Sequence, residues 1–535
     1  MGIADSLLAS VQIHPEKTAL LYQNQRVPFT DLVGTVRLYA AVFREWNIGA
    51  GDIVAICFEN SPEFIYSYYA LAWLGATILP VNLLLAPKEI EYILRDCHAS
   101  TVVTRRQYWP KFEAAAATGT LSVRQALLVE PVANGAHSPS TGTTPQPVSS
   151  NEASQSALIE TASMSEQLTR HSPIDSAPAD VPEDSLAVLI YTSGTTGIPK
   201  GVMLSHRNLT SNAAAVARAT SALEQDTFFL LLPVFHITSQ TVCMLTPLSI
   251  GASVAIVSKM DRAEMARAFR EFRPTIFVAV PSIYNMLAAA PAPPPDQNPV
   301  RLYVSGGAPL PGEIENRFET AYQKPIYGGY GLTEASPVVS WNVPGANKPG
   351  SVGRPLCGVQ IRIANEQMET LPHEEVGEIC IKGDLVMLGY YKRPEETAQT
   401  IIDGWLLTGD MGYLDNDGFL YVVDRKKEML IYSGINIYPR EIEELLHTMP
   451  AISEAAVVGA PDYARGEIPV AFVTMKDSCQ FSEKEIKDFC IASLARYKVP
   501  RRIFNLPEFP RTGSGKINKI QLKGEASERL KEVKR

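Results

Sequence analysis

The chain has 535 residues, of which 46% are hydrophobic and 20% are charged, and its formal net charge is −9. This length exceeds what a single hydrophobic core usually holds, so two or more domains are expected. The negative charge disfavours nucleic acid or an anionic membrane as a partner held by bulk charge. The seven cysteines are dispersed without a Cys-x-x-Cys pair, which favours reduced thiols in a cytoplasmic protein over disulfides or a zinc site.

The first hundred residues predict alternating helices and strands. Helices are expected from Thr30 to about Trp46, over 62–74 and over 87–97, and strands at 52–58, 76–81 and 101–104. Such alternation is typical of a parallel sheet covered by helices.

One uncharged stretch, residues 64–87, has the length of a transmembrane helix. Gly75, Pro80 and Asn82 interrupt it, which favours a buried helix followed by a strand. We therefore expect no transmembrane segment, while peripheral membrane contact stays open.

The composition changes after Leu128. Residues from about 130 to 184 contain no aromatic side chain and are rich in Ser, Thr, Ala and Pro. This composition favours a mostly disordered surface insertion with a short helix near its centre. A chain without residues 135–180 should then remain active.

Alternation resumes at SLAVLIY (185–191) and continues until shorter elements begin near Asp424. There, Pro439 starts a predicted helix, and residues 482–485 have the spacing of a capping box. We therefore predict an α/β fold with two domains. A large N-terminal domain (1–423) contains mostly parallel, helix-covered sheets and the 130–184 insertion, and a small mobile C-terminal domain (424–535) is α+β.

The stretch YTSGTTGIPKG (191–201) follows a predicted strand and combines hydroxyl side chains, glycines and one lysine. Its glycines allow backbone N–H groups to approach phosphate oxygens, and its lysine adds positive charge. The spacing differs from the P-loop, in which the lysine directly follows the second glycine. The candidate phosphate-binding residues are Thr192, Ser193, Gly194, Thr195, Thr196, Gly197 and Lys200.

Further motifs carry groups that suit a nucleotide. They are VSGGAPLP (304–311), GGYGLTE (328–334), LLTGD (406–410), YVVDRKKE (421–428) and RTGSGKI (511–517). A threonine beside a carboxylate, as at Thr333 and Glu334, suits a phosphate oxygen and its Mg²⁺. Asp410 and Arg425 suit ribose hydroxyls, because a carboxylate accepts hydrogen bonds and a guanidinium donates them. Lys516 lies on a glycine-rich loop.

Together with SGINIYPREIE (433–443), these motifs, in this order, resemble the signature set of the adenylate-forming superfamily. That superfamily includes acyl-CoA synthetases, luciferases and the adenylation domains of peptide synthetases. The resemblance covers nearly the whole chain except the insertion. It implies that a carboxylate attacks the α-phosphorus of ATP to give acyl-adenylate and pyrophosphate, and that a thiol, usually that of CoA, then displaces AMP. Carboxylic acid, ATP, Mg²⁺ and CoA are the ligands it implies.

The resemblance also implies roles for single residues. Gly306, Gly307, Ala308 and Tyr330 would line the adenine. Thr333 would contact the α-phosphate and Glu334 would help to hold Mg²⁺, while Asp410 and Arg425 would bind the ribose. Lys516 would bridge the attacking carboxylate and the α-phosphate. Lys427 would lie at the hinge of the C-terminal domain, and Gly434 would lie against the thiol arm.

The acid is less closely specified. The motif PVFHITS (233–239) offers no carboxylate after Phe235, which disfavours an amino acid. Gly331 stands where acetate-activating relatives carry a tryptophan, so the acyl pocket is expected to be open. Phe235, His236 and Gly329 are its candidate lining residues. The favoured substrate is a medium- or long-chain fatty acid.

Three alternatives stay open. They are an aryl-CoA ligase of the coumarate type, an acyl-AMP ligase that loads a carrier protein, and an inactive relative that only binds ligands. A monomer or a homodimer is expected.

Overall fold

The computed structural model describes residues 2–117, 123–130, 159–192, 199–258, 261–433, 435–462, 465–476, 479–511 and 516–533. Within these ranges the strands form one nine-stranded, one eight-stranded and two five-stranded sheets. Strands and helices are numbered below in chain order.

The eight-stranded sheet has the order β19 (Gly389–Tyr390), β9 (Lys200–Ser205), β8 (Leu186–Thr192), β4 (Thr77–Pro80), β3 (Ile53–Cys57), β5 (Thr101–Arg105), β6 (Gln125–Val129), β7 (Glu160–Ser163). The strands from β8 to β7 are parallel to their neighbours, whereas β9 and β19 are antiparallel additions at one edge. The predicted parallel sheet is therefore confirmed.

The nine-stranded sheet has the order β16 (Arg354–Pro355), β15 (Val338–Trp341), β14 (Ile326–Gly331), β13 (Leu302–Ser305), β12 (Ile276–Ala279), β10 (Thr227–Leu230), β11 (Ser253–Ile256), β1 (Thr18–Tyr22), β2 (Gln25–Pro28). Its central strands, β14 to β1, are parallel. The carboxyl ends of such strands are where ligands usually bind in open α/β sheets.

Helices cover both sheets. They are α1 (Ile3–Ile13), α2 (Phe29–Glu45), α3 (Pro62–Leu74), α4 (Pro87–Cys97), α5 (Trp109–Ala116), α6 (Met164–Arg170), α7 (His206–Ala219), α8 (Thr246–Ser249), α9 (Arg262–Phe272), α10 (Pro281–Ala288), α11 (Gly312–Tyr322) and α12 (Pro394–Thr400). A π-helix spans Ser239–Leu245, and 3₁₀ turns span Arg106–Tyr108 and Thr333–Ala335.

The uncharged stretch 64–87 is a buried helix followed by a strand, as predicted. Pro62 lies in the first turn of α3, and Gly75 ends the helix in the left-handed region at φ 74°, where glycine carries no Cβ penalty. Strand β4 then begins at Thr77. Among the residues that the structure describes, no helix is long and apolar enough to cross a bilayer. Helix α2 begins at Phe29, one residue before the predicted start at Thr30, whose hydroxyl donates to the carbonyl of Pro15.

Part of the predicted insertion is ordered, so the prediction of disorder is wrong for residues 159–184. Strand β7 pairs in parallel with β6, and Met164 at the start of α6 is buried. The Arg37 guanidinium pairs with the Asp175 carboxylate at 2.7 Å. Local composition missed these elements because their order comes from contacts with distant parts of the chain. Residues 131–158 of the predicted insertion lie outside the described ranges.

The two smaller sheets follow in the chain. The first has the order β17 (Gln360–Ala364), β18 (Gly377–Lys382), β21 (Trp405–Leu414), β20 (Ile401–Ile402), with β22 (Leu420–Arg425) paired to β21. The second has the order β24 (Ile435–Ile437), β23 (Leu430–Tyr432), β26 (Gly466–Met475), β25 (Ile452–Asp462), with β27 (Arg502–Asn505) paired to β26. Helices α13 (Pro439–His447), α14 (Glu483–Ser493) and α15 (Lys519–Val533) accompany the second sheet.

The last sheet has hydrophobic clusters of its own, one of which extends from Leu430 to Ile503. The chain passes from the third sheet to the fourth between Arg425 and Leu430. The division at 423/424 stays a prediction, to which this separation of clusters lends support.

Candidate active site

The candidate site lies where strands of the nine-stranded sheet end. Strand β13 stops at Ser305 and delivers Gly306, Gly307 and Ala308, while the neighbouring β14 stops at Gly331. Gly307 adopts φ +79°, a conformation that favours glycine. The topology therefore brings the two predicted glycine motifs side by side.

Asp410, Tyr330 and Arg425 form one hydrogen-bonded group. The Tyr330 hydroxyl donates to Oδ2 of Asp410 at 2.6 Å, and Nε of Arg425 lies 3.4 Å from Oδ1. Asp410 and Arg425 are cross-strand partners on β21 and β22. The carboxylate of Asp410 is 7% exposed, and burial raises its pKa although Arg425 opposes the rise. The three predicted residues thus hold one another in a fixed arrangement.

Lys516, which lies between β27 and α15, comes close to this group. Its Cε lies 3.8 Å from the position that a β-carbon would take at Gly307. Desolvation, with the charge of Arg425, lowers the pKa of the Lys516 ammonium to about 8. The residue itself is exposed, so it does not belong to a hydrophobic core. An exposed lysine with a pKa lowered in this way is a candidate functional group.

Contacts on both sides of Lys516 fix its place. A β-bridge joins Arg511 to Ile517, and Lys519 forms ion pairs with Glu428 at 3.0 Å and Glu443 at 2.9 Å. The two ion pairs of Lys519 tie the start of α15 to Glu428, in the segment after Arg425, and to Glu443 in α13. Lys516 is therefore held close to the ribose candidates by the residues that follow it.

Thr192 and Lys200 are cross-strand partners at the end of the β8–β9 hairpin. The predicted loop residues between them, Ser193, Gly194, Thr195, Thr196 and Gly197, lie outside the described ranges. The Lys200 ammonium lies 5.2 Å from the ring centre of Tyr390 and pairs with Glu396. The Tyr390 hydroxyl donates to Oε1 of Glu334 at 3.0 Å. The lysine of the first motif and the glutamate of GGYGLTE are thereby linked through one tyrosine.

Sequence analysis missed Tyr390 and Glu396. Both lie in GYYKRPEET (389–397), outside every quoted motif, and Tyr390 belongs to the short edge strand β19. Its pairing with Val202 on β9 brings it to the site. Because this pairing joins segments far apart in the chain, no local pattern could have predicted it.

The donor set around Glu334 fits Mg²⁺ bound mainly through a nucleotide. Among the described residues no cluster of three or more His, Cys, Asp or Glu side chains could hold a metal ion. Mg²⁺ commonly uses one or two protein carboxylates together with substrate phosphates and water. Glu334 supplies one carboxylate, and Thr333 precedes it in the same 3₁₀ turn.

Phe235 and His236 follow strand β10, with ring centres 4.6 Å apart. Burial and the nearby Lys516 lower the pKa of His236 to about 4, so the imidazole is neutral at pH 7. Its Nε2 is buried and has no hydrogen-bond partner among the described residues. Phe235 is itself buried.

The predicted pocket glycines lie at the end of β14. A β-carbon at Gly329 would approach Trp341 Cγ at 3.6 Å, an ordinary contact. At Gly331 it would lie 1.9 Å from the carbonyl oxygen of Pro337, which no real structure tolerates. The structure therefore requires glycine at position 331.

Lys427, the predicted hinge residue, lies between the third and fourth sheets. Desolvation lowers its pKa, with a further contribution from Arg425. Gly434, the other predicted residue of this region, lies outside the described ranges.

Two family models match the chain. The model of AMP-binding enzymes matches residues 7–391, and that of the AMP-binding enzyme C-terminal domain matches residues 441–516. The chain belongs to the AMP-binding enzyme family. The predicted superfamily and fold class are thereby confirmed.

Known members of the family resemble this AMP-binding enzyme over nearly their full length. A long-chain-fatty-acid–CoA ligase of Bacillus subtilis is 37% identical, covering 96% of this chain and 92% of the relative. A 4-coumarate:CoA ligase of Petunia hybrida is 32% identical, covering 94% and 89%. The crystal structure of the anthranilate CoA ligase AuaEII in complex with anthranoyl-AMP has a TM-score of 0.86 at 27% identity, covering 99% and 98%.

This AMP-binding enzyme is an adenylate-forming acyl-CoA ligase. Its substrates are accordingly an acid, ATP and CoA. The relatives include both aliphatic and aromatic acid ligases, so family membership alone leaves the acid open.

Proposed function

We propose that this ligase activates a medium- or long-chain fatty acid to acyl-AMP and then transfers the acyl group to CoA. The observations that support the proposal are the burial of Phe235 and the neutral, unpartnered imidazole of His236, which we assign to an acyl wall. The wall offers no charge to pair with an ammonium group on the substrate. The fatty-acid ligase at 37% identity is consistent with an aliphatic acid.

In the first step, a carboxylate oxygen of the acid bonds to the α-phosphorus, and the bond to the bridging oxygen of the β-phosphate breaks. Pyrophosphate leaves with the electron pair of that bond. No general base is needed, because a carboxylic acid is already ionised at pH 7. The difficulty lies in bringing two anions together.

We assign to the Lys516 ammonium the role of bringing these two anions together. Placed beside both anions, it offsets their repulsion and stabilises charge that develops on the α-phosphate. Loss of one such preorganised donor typically costs about 100- to 1000-fold in rate. Asp410 and Arg425 would hold the ribose, and Tyr330 would support Asp410 through its hydrogen bond at 2.6 Å.

The remaining assignments concern adenine, phosphates and metal. Gly306, Gly307 and Ala308 present backbone at the adenine, and Thr333 contacts the α-phosphate. Lys200 and the 193–197 loop hold the β- and γ-phosphates. Mg²⁺, held by Glu334 and the phosphates, would neutralise negative charge on the triphosphate.

For the second step, we assign to the C-terminal domain a rotation about Lys427. This rotation withdraws Lys516 and brings Gly434 against the thiol arm of CoA. The thiol loses its proton to solvent, its sulfur bonds to the acyl carbon, and the bond from that carbon to the phosphate oxygen breaks, so that AMP leaves with the electron pair. A glycine at 434 leaves room for the thiol arm, because it carries no side chain.

An aromatic acid is the second candidate. The relative that acts on 4-coumarate is 32% identical over 513 residues, only slightly less similar than the fatty-acid ligase. A carrier protein in place of CoA would give the same adenylate.

The test is formation of AMP and acyl-CoA from ATP, Mg²⁺ and CoA across a panel of acids. The panel contains acetate, hexanoate, octanoate, laurate, palmitate, oleate, benzoate and coumarate. We expect kcat/KM to rise with aliphatic chain length beyond hexanoate. Preference for benzoate or coumarate would refute the fatty-acid assignment, and adenylate without thioester would point to a carrier protein.

A further inference from the structure

Asn60 is a buried side chain, 4% exposed, in the loop between β3 and α3. Its amide Nδ2 donates to three successive carbonyl oxygens, those of residues 230, 231 and 232, at 3.3, 3.2 and 3.1 Å. Its Oδ1 accepts the backbone N–H of Val234 at 2.9 Å. One side chain of the eight-stranded sheet thus binds four peptide groups at the end of strand β10 in the other sheet.

The segment that Asn60 binds leads directly to Phe235 and His236. The carbonyl of Val234 accepts from Nε2 of Gln240 at 2.9 Å, and the N–H of His236 donates to Pro233 at 3.0 Å. The N–H of Val234 therefore donates to Asn60, and the carbonyl of Val234 accepts from Gln240 in the π-helix. π-helical turns are frequent at functional sites.

The loop of Asn60 is itself fixed. Arg105, at the end of β5 and 4% exposed, pairs with Glu59 and with Glu63, its Nη2 lying 3.0 Å from the Glu63 carboxylate. These two glutamates lie on either side of Asn60 in the chain. The position of Asn60 is thus fixed, and its hydrogen bonds fix the position of the 230–236 segment.

The segment ends at His236, whose ring centre lies 4.6 Å from that of Phe235. Nε2 of His236 is buried and has no partner among the described residues, and the charge of Lys516 is close enough to lower the pKa of the imidazole. A shift of the segment by 1 Å would move Phe235 and His236 relative to Lys516.

We propose that Asn60 is a positioning residue for acid activation, which sets Phe235 and His236 against the acid while touching no substrate itself. This inference rests on the proposed function in one respect, the assignment of Phe235 and His236 to the acyl pocket. Asn60 makes no hydrogen bond to Asp410, Arg425 or Tyr330 in the described structure. Its effect should therefore fall on the acid and not on ATP.

The test compares N60D with N298D in the full-length enzyme. N60D keeps an acceptor for the N–H of Val234 but loses the donors to the three carbonyls. Asn298 is a matched control, because it is 7% exposed and accepts from the N–H of Val300 at 3.1 Å and the Tyr303 hydroxyl at 3.0 Å at the opposite end of the same sheet. KM for the acid, KM for ATP, kcat and Tm are measured for each.

We expect N60D to raise KM for the acid about ten- to a hundredfold, because small displacements of positioning groups have effects of that size. KM for ATP should stay within about twofold, since the ribose group is held independently. N298D introduces the same carboxylate at a buried site but keeps both acceptor contacts of Asn298, and it should change neither KM. Because KM does not depend on the fraction of folded enzyme, partial unfolding cannot imitate this result. N60S, which retains a single donor, should give an intermediate KM.

An unchanged KM for the acid in N60D, or an equal rise in both KM values, would overturn the proposal. The acid used is the best substrate of the wild-type enzyme in the panel, whatever its class. A preference for aromatic acids would thus refute the fatty-acid assignment and leave this test intact. If His236→Ala leaves KM for the acid unchanged, the pocket assignment fails instead.

Discussion

At the scale of single residues, Lys516 is the group to which we assign the main role in adenylation. It lies between β27 and α15, and its Cε is 3.8 Å from the position that a β-carbon would take at Gly307. The sequence predicted its role through a glycine-rich motif near the end of the chain. The reduced pKa could not be predicted, because it depends on desolvation in the fold and on Arg425, which is distant in sequence.

The first prediction concerns Lys516→Ala. We expect adenylate formation to fall by about 100- to 1000-fold, because one preorganised donor beside the α-phosphate is lost. Thioester formation from supplied acyl-adenylate should stay within about twofold, since the lysine is withdrawn in that step. Single-turnover assays of each half-reaction make the measurement. An equal loss of rate in both half-reactions would contradict the proposal that the C-terminal domain takes a different position in each step.

The second prediction is a pH limit on adenylation. Because the pKa of Lys516 is lowered to about 8, the ammonium is present below that pH and is lost as pH rises through it. We expect kcat/KM for adenylation, which reports the free enzyme, to decline about tenfold per pH unit above 8.

Lys516→Arg provides the control, because a guanidinium stays charged throughout this range. Its kcat/KM should be lower than that of the wild type but level between pH 7.5 and 9.5. A wild-type profile that is level over the same range would exclude Lys516 as the titrating group.

At the scale of elements, the apolar pattern specified the central strands and helices almost to the residue. Helices α3 and α4 have the predicted bounds, 62–74 and 87–97, because proline starts each one and a left-handed residue ends it. Strand β7 was missed because its sequence, ETAS, has no apolar alternation. Its position depends on pairing with β6 and on the packing of Met164.

The third prediction follows from β7 and α6. Deletion of 138–153 should leave adenylation within about twofold, because the remaining 14 residues between Val129 and Glu160 can span a parallel crossover of about a dozen residues. Deletion of 135–180 should lower Tm markedly, because it removes β7, α6 and the hydrogen bond from Trp73 Nε1 to Ser176 at 3.2 Å. Melting curves and adenylation rates of both deletions make the comparison.

This expectation replaces the sequence-based one, in which the longer deletion was also tolerated. Equal melting temperatures for the two deletions would show that β7 and α6 contribute nothing to stability.

At the scale of the whole molecule, the sequence predicted that a small C-terminal domain exists but not where it lies. In the structure, the ammonium of Lys476, directly after β26, lies 3.4 Å from the carboxylate of Glu313 in α11. Burial lowers the pKa of nearby His447, and Glu313 is among the carboxylates that oppose this shift. These contacts accompany the placement of Lys516 beside Gly307.

The fourth prediction concerns this pair. Glu313→Lys should reduce adenylation two- to fivefold by repelling Lys476, a modest effect because partly exposed pairs contribute about 0–1 kcal/mol. The double variant E313K/K476E should recover the rate, and thioester formation from supplied acyl-adenylate should be unaffected in both. The difference in adenylation rate between E313K and the wild type should be smaller in 0.5 M salt, because salt screens exposed charges. Failure of the double variant to recover would rule out a charge contact.

The close approach of Pro337 to Gly331 limits how the preference of this enzyme for its acid substrate could evolve. By the family resemblance, an acetate-specific descendant would carry a bulky side chain at position 331. A β-carbon there would lie 1.9 Å from the carbonyl oxygen of Pro337. Any side chain at that position requires the turn over 332–337 to shift, because the atom in its way is a backbone oxygen. Selection for short acids would therefore have to act through other walls of the pocket, and laboratory evolution that randomises position 331 alone should recover only the parent glycine.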